Sequence, residues 1–411
     1  MSASKPTGSD SQGVRLFGLS RNVVALGLVS LLTDVSSEMI YPLLPLFLTS
    51  VLGAGQTFVG LVEGIAESAA SLTKLFSGWL SDRLGRRKGL VVAGYTLSSV
   101  SRPLVALALA PWHVLMIRFT DRLGKGLRTP PRDALIAGST DVAIRGRAYG
   151  FHRSMDHLGA VGGPALAYAL LLLLGDRLRT LFLLAAIPGV LSVVILTLKV
   201  RDFPIDSAQA AKEPQRATGL DAQLTRFLLV VTLFTLGNSS DAFLLLRAQE
   251  VGISAIHLPL LWMFFSLVKA ATGLPGGILS DLRGRRGAII AGWLVYALAY
   301  LGFGAASQPW HIWVLIGFYG LYFGLTEGGE RALIVDLVPQ DRQASAFGLF
   351  HSCIGIAALP SSLLMGYLYQ TFGAGPAFTV GAALAGLSAL LLLLLLRPSL
   401  LRPERSVAQR S

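Results

Sequence analysis

The sequence predicts an all-α membrane protein whose twelve transmembrane helices form two parallel-repeat six-helix bundles. First, 53% of its 411 residues are hydrophobic and only 14% are charged, whereas a soluble protein needs a surface with roughly 25–35% charged residues. Second, apolar stretches of about 20 residues, the length of a spanning helix, recur along the chain. Third, a charged loop occurs twice about half a chain apart, in residues 78–87 and 277–286. A transmembrane β-barrel would instead show alternating segments of about 10 residues.

Twelve apolar runs can be placed in order along the chain, with boundaries good to a few residues. They cover residues 22–50, 57–77, 89–110, 112–137, 147–174, 180–198, 225–249, 257–279, 287–306, 309–337, 342–372 and 375–397. The polar stretch between the sixth and seventh runs indicates a flexible connection. The predicted organisation is a tail (1–21), an N-terminal bundle (22–198), a linker (199–224), a C-terminal bundle (225–397) and a second tail (398–411).

The net charge of +12 is explained by topology and needs no nucleic acid. Lys and Arg concentrate in the loops after the second, fourth and eighth spans, in the middle connection and in the tail. The loops on the other side largely lack them, with Arg177 and Arg179 as the exception. Because cytoplasmic loops are enriched in Lys and Arg, we expect both termini in the cytoplasm and the chain in the plasma (inner) membrane.

The two halves correspond without a gap over long stretches. Residues 132–136 parallel residues 330–334, and residues 147–150 parallel residues 345–348, in each case 198 positions apart. Each half has six spans, so both halves have the same orientation in the membrane. Such a parallel repeat predicts a pseudo-twofold axis along the membrane normal, with the binding site near the midplane.

The repeated loop resembles the signature of the major facilitator superfamily, and the resemblance covers about residues 20–397. Its first copy consists of Gly78, Asp82, Arg83, Gly85, Arg86 and Arg87, and its second of Gly277, Asp281, Gly284, Arg285 and Arg286, with Leu282 in place of the first arginine. The resemblance implies a cytoplasmic gate latch for the aspartates. The alternative is that the loops only set topology through their positive charge.

Two further matches are similar to proton-coupled, exporter-like members of that superfamily. The fifth span contains an antiporter-like motif formed by Gly150, Gly159, Gly163 and Pro164. Arg118 in the fourth span resembles an arginine typical of that helix, although Arg122 replaces the glycine usually found four residues on. The glycines could shape the interface between the halves, or could simply permit close helix contact and a kink.

Charged residues inside the spans are the candidate coupling and substrate residues, because a charge at the bilayer centre costs about 2.5–3.5 kcal/mol even on the lenient insertion scale. They are Asp34, Glu38, Glu63, Glu67, Arg118, Asp121, Arg122, Arg153, Asp156, His157, Asp241, Glu327 and Glu330. Asp34 and Glu38 lie one turn apart on one helix face, as do Glu63 and Glu67. In the fourth span, Lys125 and Arg128 extend a cationic stripe.

Each of these residues also has a structural interpretation. Asp34 and Glu38 are either proton carriers or cation ligands, or they neutralise the arginines of the fourth span. Glu63 and Glu67 either line the cavity or pair with a basic neighbour. His157 is a protonation site beside Asp156 or a packing residue. We expect Arg128 and Arg132 to snorkel near the cytoplasmic end, and Lys269 to pair locally or snorkel.

The sequence has no metal-ligand spacing, phosphate-binding loop or nucleophile elbow, so we expect neither an enzyme nor a cofactor. It favours a monomeric secondary transporter that exports a charged or amphipathic metabolite or drug by alternating access, in exchange for protons. Its partners would be the solute, protons and the lipid bilayer. The alternatives are a metal-ion, siderophore or organic-anion transporter of either direction, and a non-transporting sensor on the same fold.

Overall fold

A computed structural model describes residues 19–84, 87–140, 144–175, 177–202, 222–339 and 342–396. Twelve helical segments cross the molecule in these ranges, as the sequence predicts. They are α1 Arg21–Val51, α2 Gln56–Leu84, α3 Lys88–Leu107, α4 Pro111–Gly138, α5 Arg145–Leu174, α6 Leu178–Lys199, α7 Ala222–Glu250, α8 Ala255–Arg283, α9 Arg285–Ala305, α10 Pro309–Leu337, α11 Gln343–Phe372 and α12 Ala374–Leu395. The N-terminal tail up to residue 18, the whole of the C-terminal tail and most of the predicted linker lie outside the described residues.

Nine of these helices are long and apolar enough to cross a membrane by composition alone. The other three, α2, α4 and α10, are 28 or 29 residues long. They also carry most of the predicted site residues, such as Glu63, Arg118 and Glu327. Charged side chains inside a membrane usually face a cavity or a partner, so these helices are expected to line the interior of the molecule.

The internal repeat is visible in matching hydrogen bonds. Arg87 Nη1 donates to the carbonyl oxygen of Ala134 at 3.2 Å, and Arg285 Nη1 donates to that of Ala332 at 2.5 Å. Both the donors and the acceptors are 198 positions apart. In each half this bond ties the start of the third helix to the end of the fourth. The two bundles therefore share their local geometry as well as their order of helices.

The halves are packed tightly at the face away from the repeated loops, which we call the far face. A side chain on Gly60 or Gly64 of α2 would overlap the α11 backbone at Ser362 or Leu359. The backbone N–H of Thr57 donates to Gln370 Oε1 across the same contact at 3.0 Å. Small residues allow such close helix contact, so this face is closed.

At the face that carries the repeated loops, which we call the loop face, the halves are joined more openly. Arg153 of α5 contacts Glu327 of α10 at 2.5 Å, with side chains 51% and 38% exposed. Arg331, one turn further along α10, is 54% exposed. Because these polar side chains on facing helices are accessible while the far face is closed, the space between the halves opens toward the loop face.

Candidate functional site

A cavity of about 620 Å³ lies between the two halves. Its walls come from α1, α2, α3 and α4 of the first half and from α7, α8, α10 and α11 of the second. Ten sequence-predicted residues line it: Asp34, Glu38, Glu63, Glu67, Arg118, Asp121, Arg122, Asp241, Glu327 and Glu330. The fold thus gathers acids and bases from five helices around one space, as expected of a binding site at a repeat interface.

Two buried ion pairs support the wall of the first half. Arg118 donates to both carboxylate oxygens of Glu63, at 2.8 and 2.9 Å. Arg102 Nε donates to Asp121 Oδ1 at 2.9 Å, and Arg118 Nη1 lies 3.7 Å from Asp121 Oδ2. All four side chains are less than 10% exposed. These residues form a fixed network, because breaking a buried ion pair leaves an uncompensated charge.

Asp34 and Glu38 do not neutralise the arginines of α4. Glu63 and Asp121 have that role, and neither Asp34 nor Glu38 has a basic atom within 4.0 Å among the described residues. Glu38 instead accepts a hydrogen bond at 2.7 Å from Trp262 Nε1 on α8, in the other half. The helix-1 acids are therefore available for ligands or protons.

The antiporter-like glycines pack directly against these two acids. A β-carbon on Gly159 would lie 2.7 Å from the β-carbon of Asp34, and one on Gly163 would lie 2.8 Å from that of Glu38. A β-carbon on Gly150 would meet no atom of another segment within 4 Å among the described residues. Gly159 and Gly163 therefore permit close contact with α1 within the first half, beside two acids that line the cavity. Pro164 follows them inside a continuous helix.

Asp156 lies beside the cavity in a separate polar cluster. It accepts a hydrogen bond from Ser30 at 2.5 Å, and Arg153 lies 3.9 Å away. Its histidine neighbour is His152, with Nδ1 3.6 Å from Asp156 Oδ2, rather than the predicted His157. The reason is helical geometry, since residues four apart share a face and adjacent residues do not.

In the second half, four tyrosines hold a break in α7. The helix is interrupted between Gly237 and Ala242. Tyr319 donates to Asp241 at 2.6 Å, Tyr296 donates to the Gly237 carbonyl at 3.0 Å, and Tyr300 lies 3.2 Å from Ser239 Oγ. Tyr322 accepts from Asn238 at 3.3 Å. Irregular backbone at membrane depth is tolerated where it lines a cavity, and residues 238–241 line this one.

Two expectations about basic residues are wrong. Arg128 does not snorkel: it is only 4% exposed, lies over the Tyr95 ring and donates to Ser98 at 2.6 Å. Lys269 makes no ion pair with the described residues. Its ammonium instead lies over two aromatic rings, 4.1 Å from the Phe323 centroid and 4.9 Å from that of Phe265. Arg132 contacts Asp133, its neighbour in sequence, at 2.8 Å.

The repeated loops brace helix ends in each half. Lys88 donates to the Thr197 carbonyl at 2.9 Å, and Arg286 donates to that of Leu393 in the matching place. Arg83 lies over the Trp79 ring, and Gly284 adopts a φ of +93°, a conformation that favours glycine. Asp281 is exposed and forms no hydrogen bond or ion pair with the first half among the described residues. Gly85, Arg86 and the side chain of Asp82 lie outside the description.

Several residues that bind or flank the predicted acids are not indicated by the sequence patterns. They are Arg102, Trp262, Tyr319, Tyr322 and His152. Arg102 had a usable signal, since it is a lone arginine within an apolar span. The described residues contain no group of three or more His, Cys, Asp and Glu side chains that could hold a metal ion.

Comparison with known proteins gives a family and a fold. The sequence profile of the Major Facilitator Superfamily matches residues 26–245 and 226–411. An uncharacterized MFS-type transporter of Methanocaldococcus jannaschii is 36% identical over 381 residues, covering 91% of this chain and 95% of that protein. The multidrug resistance protein MdtH of Salmonella typhi is 24% identical over 356 residues, covering 84% of each.

Solved structures share the architecture at low sequence identity. A variant of the nucleoside transporter NupG has a TM-score of 0.77 at 13% identity, covering 91% of this chain and all of that one. The profile match spans both bundles, and the helices, the repeat and the central cavity agree with it. The chain is a multi-pass membrane transporter, not an enzyme, and it belongs to the Major Facilitator Superfamily.

Proposed function

We propose that the protein is a proton-coupled antiporter that exports a small charged or amphipathic solute by alternating access. The observation that carries this proposal is the position of Asp34 and Glu38. Both carboxylates line the cavity between the halves, and neither is paired with a base among the described residues. Both also lie against the antiporter-like glycines.

The physical basis is the cost of occluding an unpaired carboxylate. When the halves rock past each other, water leaves the cavity, and an unneutralised charge in the membrane interior becomes expensive. A proton on Asp34 or Glu38 and a solute cation elsewhere in the same cavity oppose each other, because each neutralises the same group of acids and like charges repel. Exchange follows from this competition: the carrier moves in one direction with the solute bound and returns with a proton bound instead.

Glu38 connects this competition to the movement of the halves. Its carboxylate accepts the hydrogen bond of Trp262 from the second half, so its charge state acts directly on a contact between the bundles. Arg153 and Glu327 form the corresponding contact near the loop face. Along the membrane normal, the Glu38–Trp262 contact lies on the far-face side of Asp34, and the Arg153–Glu327 contact lies on its loop-face side. A change in the charge of Asp34 therefore favours closure of the cavity at one face over closure at the other.

The direction of export is supported by topology and by resemblance. With the Lys- and Arg-rich loops and both termini in the cytoplasm, the cavity opens to the cytoplasm and loads solute there. The antiporter-like motif and the relative described as a multidrug resistance protein support the same direction. A resident metal site finds no support among the described residues.

The test is transport by purified protein in liposomes with an imposed pH gradient. Asp34→Asn and Glu38→Gln should each abolish gradient-driven accumulation of a transported solute. The matched control is Glu250→Gln, which removes a carboxylate that contacts Arg247 and Tyr369 outside the cavity. Normal gradient-driven transport by both cavity variants would overturn the assignment, and a lack of any solute movement by the wild type would favour a sensor.

A further inference from the structure

The formal charge of the cavity is distributed unequally between the halves. The first half contributes five acidic and five basic side chains to the lining, so its wall is balanced. The second half contributes three acids, Asp241, Glu327 and Glu330, but only two bases, Lys269 and Arg331. Glu327 is paired with Arg331 and, from the first half, with Arg153. The negative charge of this wall that has no base within 4.0 Å among the described residues therefore lies on Asp241 and Glu330, where a cation would be stabilised.

The same wall is aromatic. Trp262, Phe234, Tyr322 and Phe323 line it, and Phe265 lies behind them in contact with Trp262 and Phe323. The electron-rich faces of aromatic rings attract ammonium groups, and the attraction grows when the site is desolvated. Aromatic rings beside a surplus carboxylate form a chemical environment suited to an organic ammonium group.

Three carboxylates near these rings are fixed in place by aromatic donors rather than by bases. Tyr319 donates to Asp241 at 2.6 Å, Trp262 donates to Glu38 at 2.7 Å, and Trp293 donates to Glu330 at 3.2 Å. None of the three has a basic atom within 4.0 Å among the described residues. Such hydrogen bonds orient a carboxylate and leave its charge available to a ligand.

The structure already contains an ammonium group in this environment. Lys269 Nζ lies 4.1 Å from the centroid of Phe323 and 4.9 Å from that of Phe265. Asp241 lies next to the same rings, because Tyr319 donates to it and the Tyr319 ring lies 5.4 Å from that of Phe265 and 5.5 Å from that of Phe323. Lys269 neither snorkels nor pairs, so its ammonium occupies the position that the rings and Asp241 favour for a cation.

We propose that Asp241, Phe265 and Phe323 form a subsite for the protonated amine of an amphipathic solute, which the Lys269 ammonium occupies while the cavity is empty. The solute's ammonium displaces Lys269, whose flexible stem lets it move toward Glu327, the nearby acid of α10. The apolar body of the solute then packs on Trp262 and Tyr322. This inference rests on the proposed function and specifies its substrate class.

The test is equilibrium binding to the purified full-length protein in detergent, without a pH gradient, measured by calorimetry. The probes are phenethylammonium, the neutral phenethyl alcohol and the anionic phenylacetate. The variants are Lys269→Met, which removes the internal competitor, and Arg331→Met, which removes an equal charge from the same wall. Arg331 is paired with Glu327 at 3.1 Å and does not contact the rings.

We expect Lys269→Met to bind phenethylammonium at least about tenfold more tightly than the wild type, as expected when a desolvated cation–π competitor is removed. Arg331→Met should change that affinity by less than about threefold, because it acts only through screened charge. Unchanged or weaker ammonium binding by Lys269→Met would overturn the proposal. An equal gain in phenethylammonium affinity in Arg331→Met would also overturn it, since the loss of one positive charge anywhere on this wall would then explain both results.

A second measurement keeps the proposal testable if the lysine variant does not fold. The wild type should bind phenethylammonium more tightly than the alcohol or phenylacetate, and Asp241→Asn should remove that preference. Tighter binding of phenylacetate would overturn the subsite. Because neither measurement uses transport or a proton gradient, failure here leaves the antiport test with Asp34 and Glu38 independent.

Discussion

The two halves have the same arrangement of helices, but different side chains fill their interiors. Arg102 and Asp121 form a buried ion pair at 2.9 Å in the first half. The residues 198 positions further on are Tyr300 and Tyr319, whose rings lie 6.1 Å apart. One pair of matched positions between the third and fourth helices is therefore filled by charge in one half and by aromatic rings in the other.

This difference indicates a division of labour. Charged pairs fix polar geometry but gain little net stability, because desolvation opposes their attraction. Buried aromatic rings remove large apolar areas from the surroundings and accept cations on their faces. The first half is therefore suited to charge and proton chemistry, and the second to holding the organic part of a solute.

The largest expected effect comes from breaking the charged interior. Asp121→Leu leaves Arg102 without its carboxylate and removes a neighbour of Arg118, so the free energy of unfolding should fall by about 3–5 kcal/mol. The measurement is unfolding of purified protein in mixed detergent micelles. The double variant Arg102→Met/Asp121→Leu should recover most of the loss, and a single variant as stable as the wild type would contradict the role of this pair.

The next effect concerns Gly159, where the halves also differ. The matched residue of the second half is Ala357, whose methyl group is accommodated in a position that is only 2% exposed. Gly159→Ala should destabilise the protein by about 1–3 kcal/mol through overpacking against Asp34, and should reduce proton-driven transport. Gly150→Ala is the control on the same helix, because no described residue of another segment lies within 4 Å of the added methyl group. Equal behaviour of the two variants would show that contact with α1 is unimportant.

A smaller effect is expected in the aromatic interior. Tyr319→Phe keeps the ring but removes the hydrogen bond to Asp241, which should lower the free energy of unfolding by about 1 kcal/mol. It should also weaken binding of an organic ammonium, because Asp241 is no longer held. Tyr300→Phe, which removes the hydroxyl that contacts Ser239 and leaves the bond between Tyr319 and Asp241 in place, is the comparison. If Tyr319→Phe lowered the free energy of unfolding as much as Asp121→Leu does, polar contacts would be equally important in both halves, which would contradict the division described above.

The smallest effect is expected at the ion pair between the halves. Arg153 and Glu327 are 51% and 38% exposed, and exposed pairs contribute about 0–1 kcal/mol. Arg153→Gln should leave the unfolding transition nearly unchanged, while shifting the carrier away from the loop-face contact. The accessibility of a thiol introduced at Leu75, close to Gly348 of α11, reports that shift. A large fall in the free energy of unfolding would contradict this expectation, because it would mean that the Arg153–Glu327 pair stabilises the protein as a buried ion pair does.

The sequence was sufficient for features that depend on local pattern. Apolar runs and the repeated loop predict twelve helices in two bundles, because a membrane requires spans of fixed length and Lys and Arg mark their ends. The embedded charges predict the cavity, and Asp34, Glu63 and Asp241 do line it. Each of these inferences needs only the spacing of residues along the chain.

Pairing between distant helices was not predictable in this way. Nothing in the sequence indicates that Glu38 contacts Trp262, 224 positions away. Nor does the sequence indicate that Asp121 pairs with Arg102 on another helix rather than with a base on its own helix. The histidine that contacts Asp156 is His152, which shares its helix face, and not His157, which is only adjacent in sequence. The tyrosines around the break in α7 have no sequence pattern that separates them from other buried aromatic residues.

In the proposed mechanism, a cationic solute and a proton compete for the carboxylates of the shared cavity. The most direct measurement is proton release when phenethylammonium is added to purified protein in weakly buffered detergent solution. We expect release by the wild type and by Glu250→Gln, and none by the double variant Asp34→Asn/Glu38→Gln. Binding without proton release by the wild type, or equal release by the double variant, would contradict it.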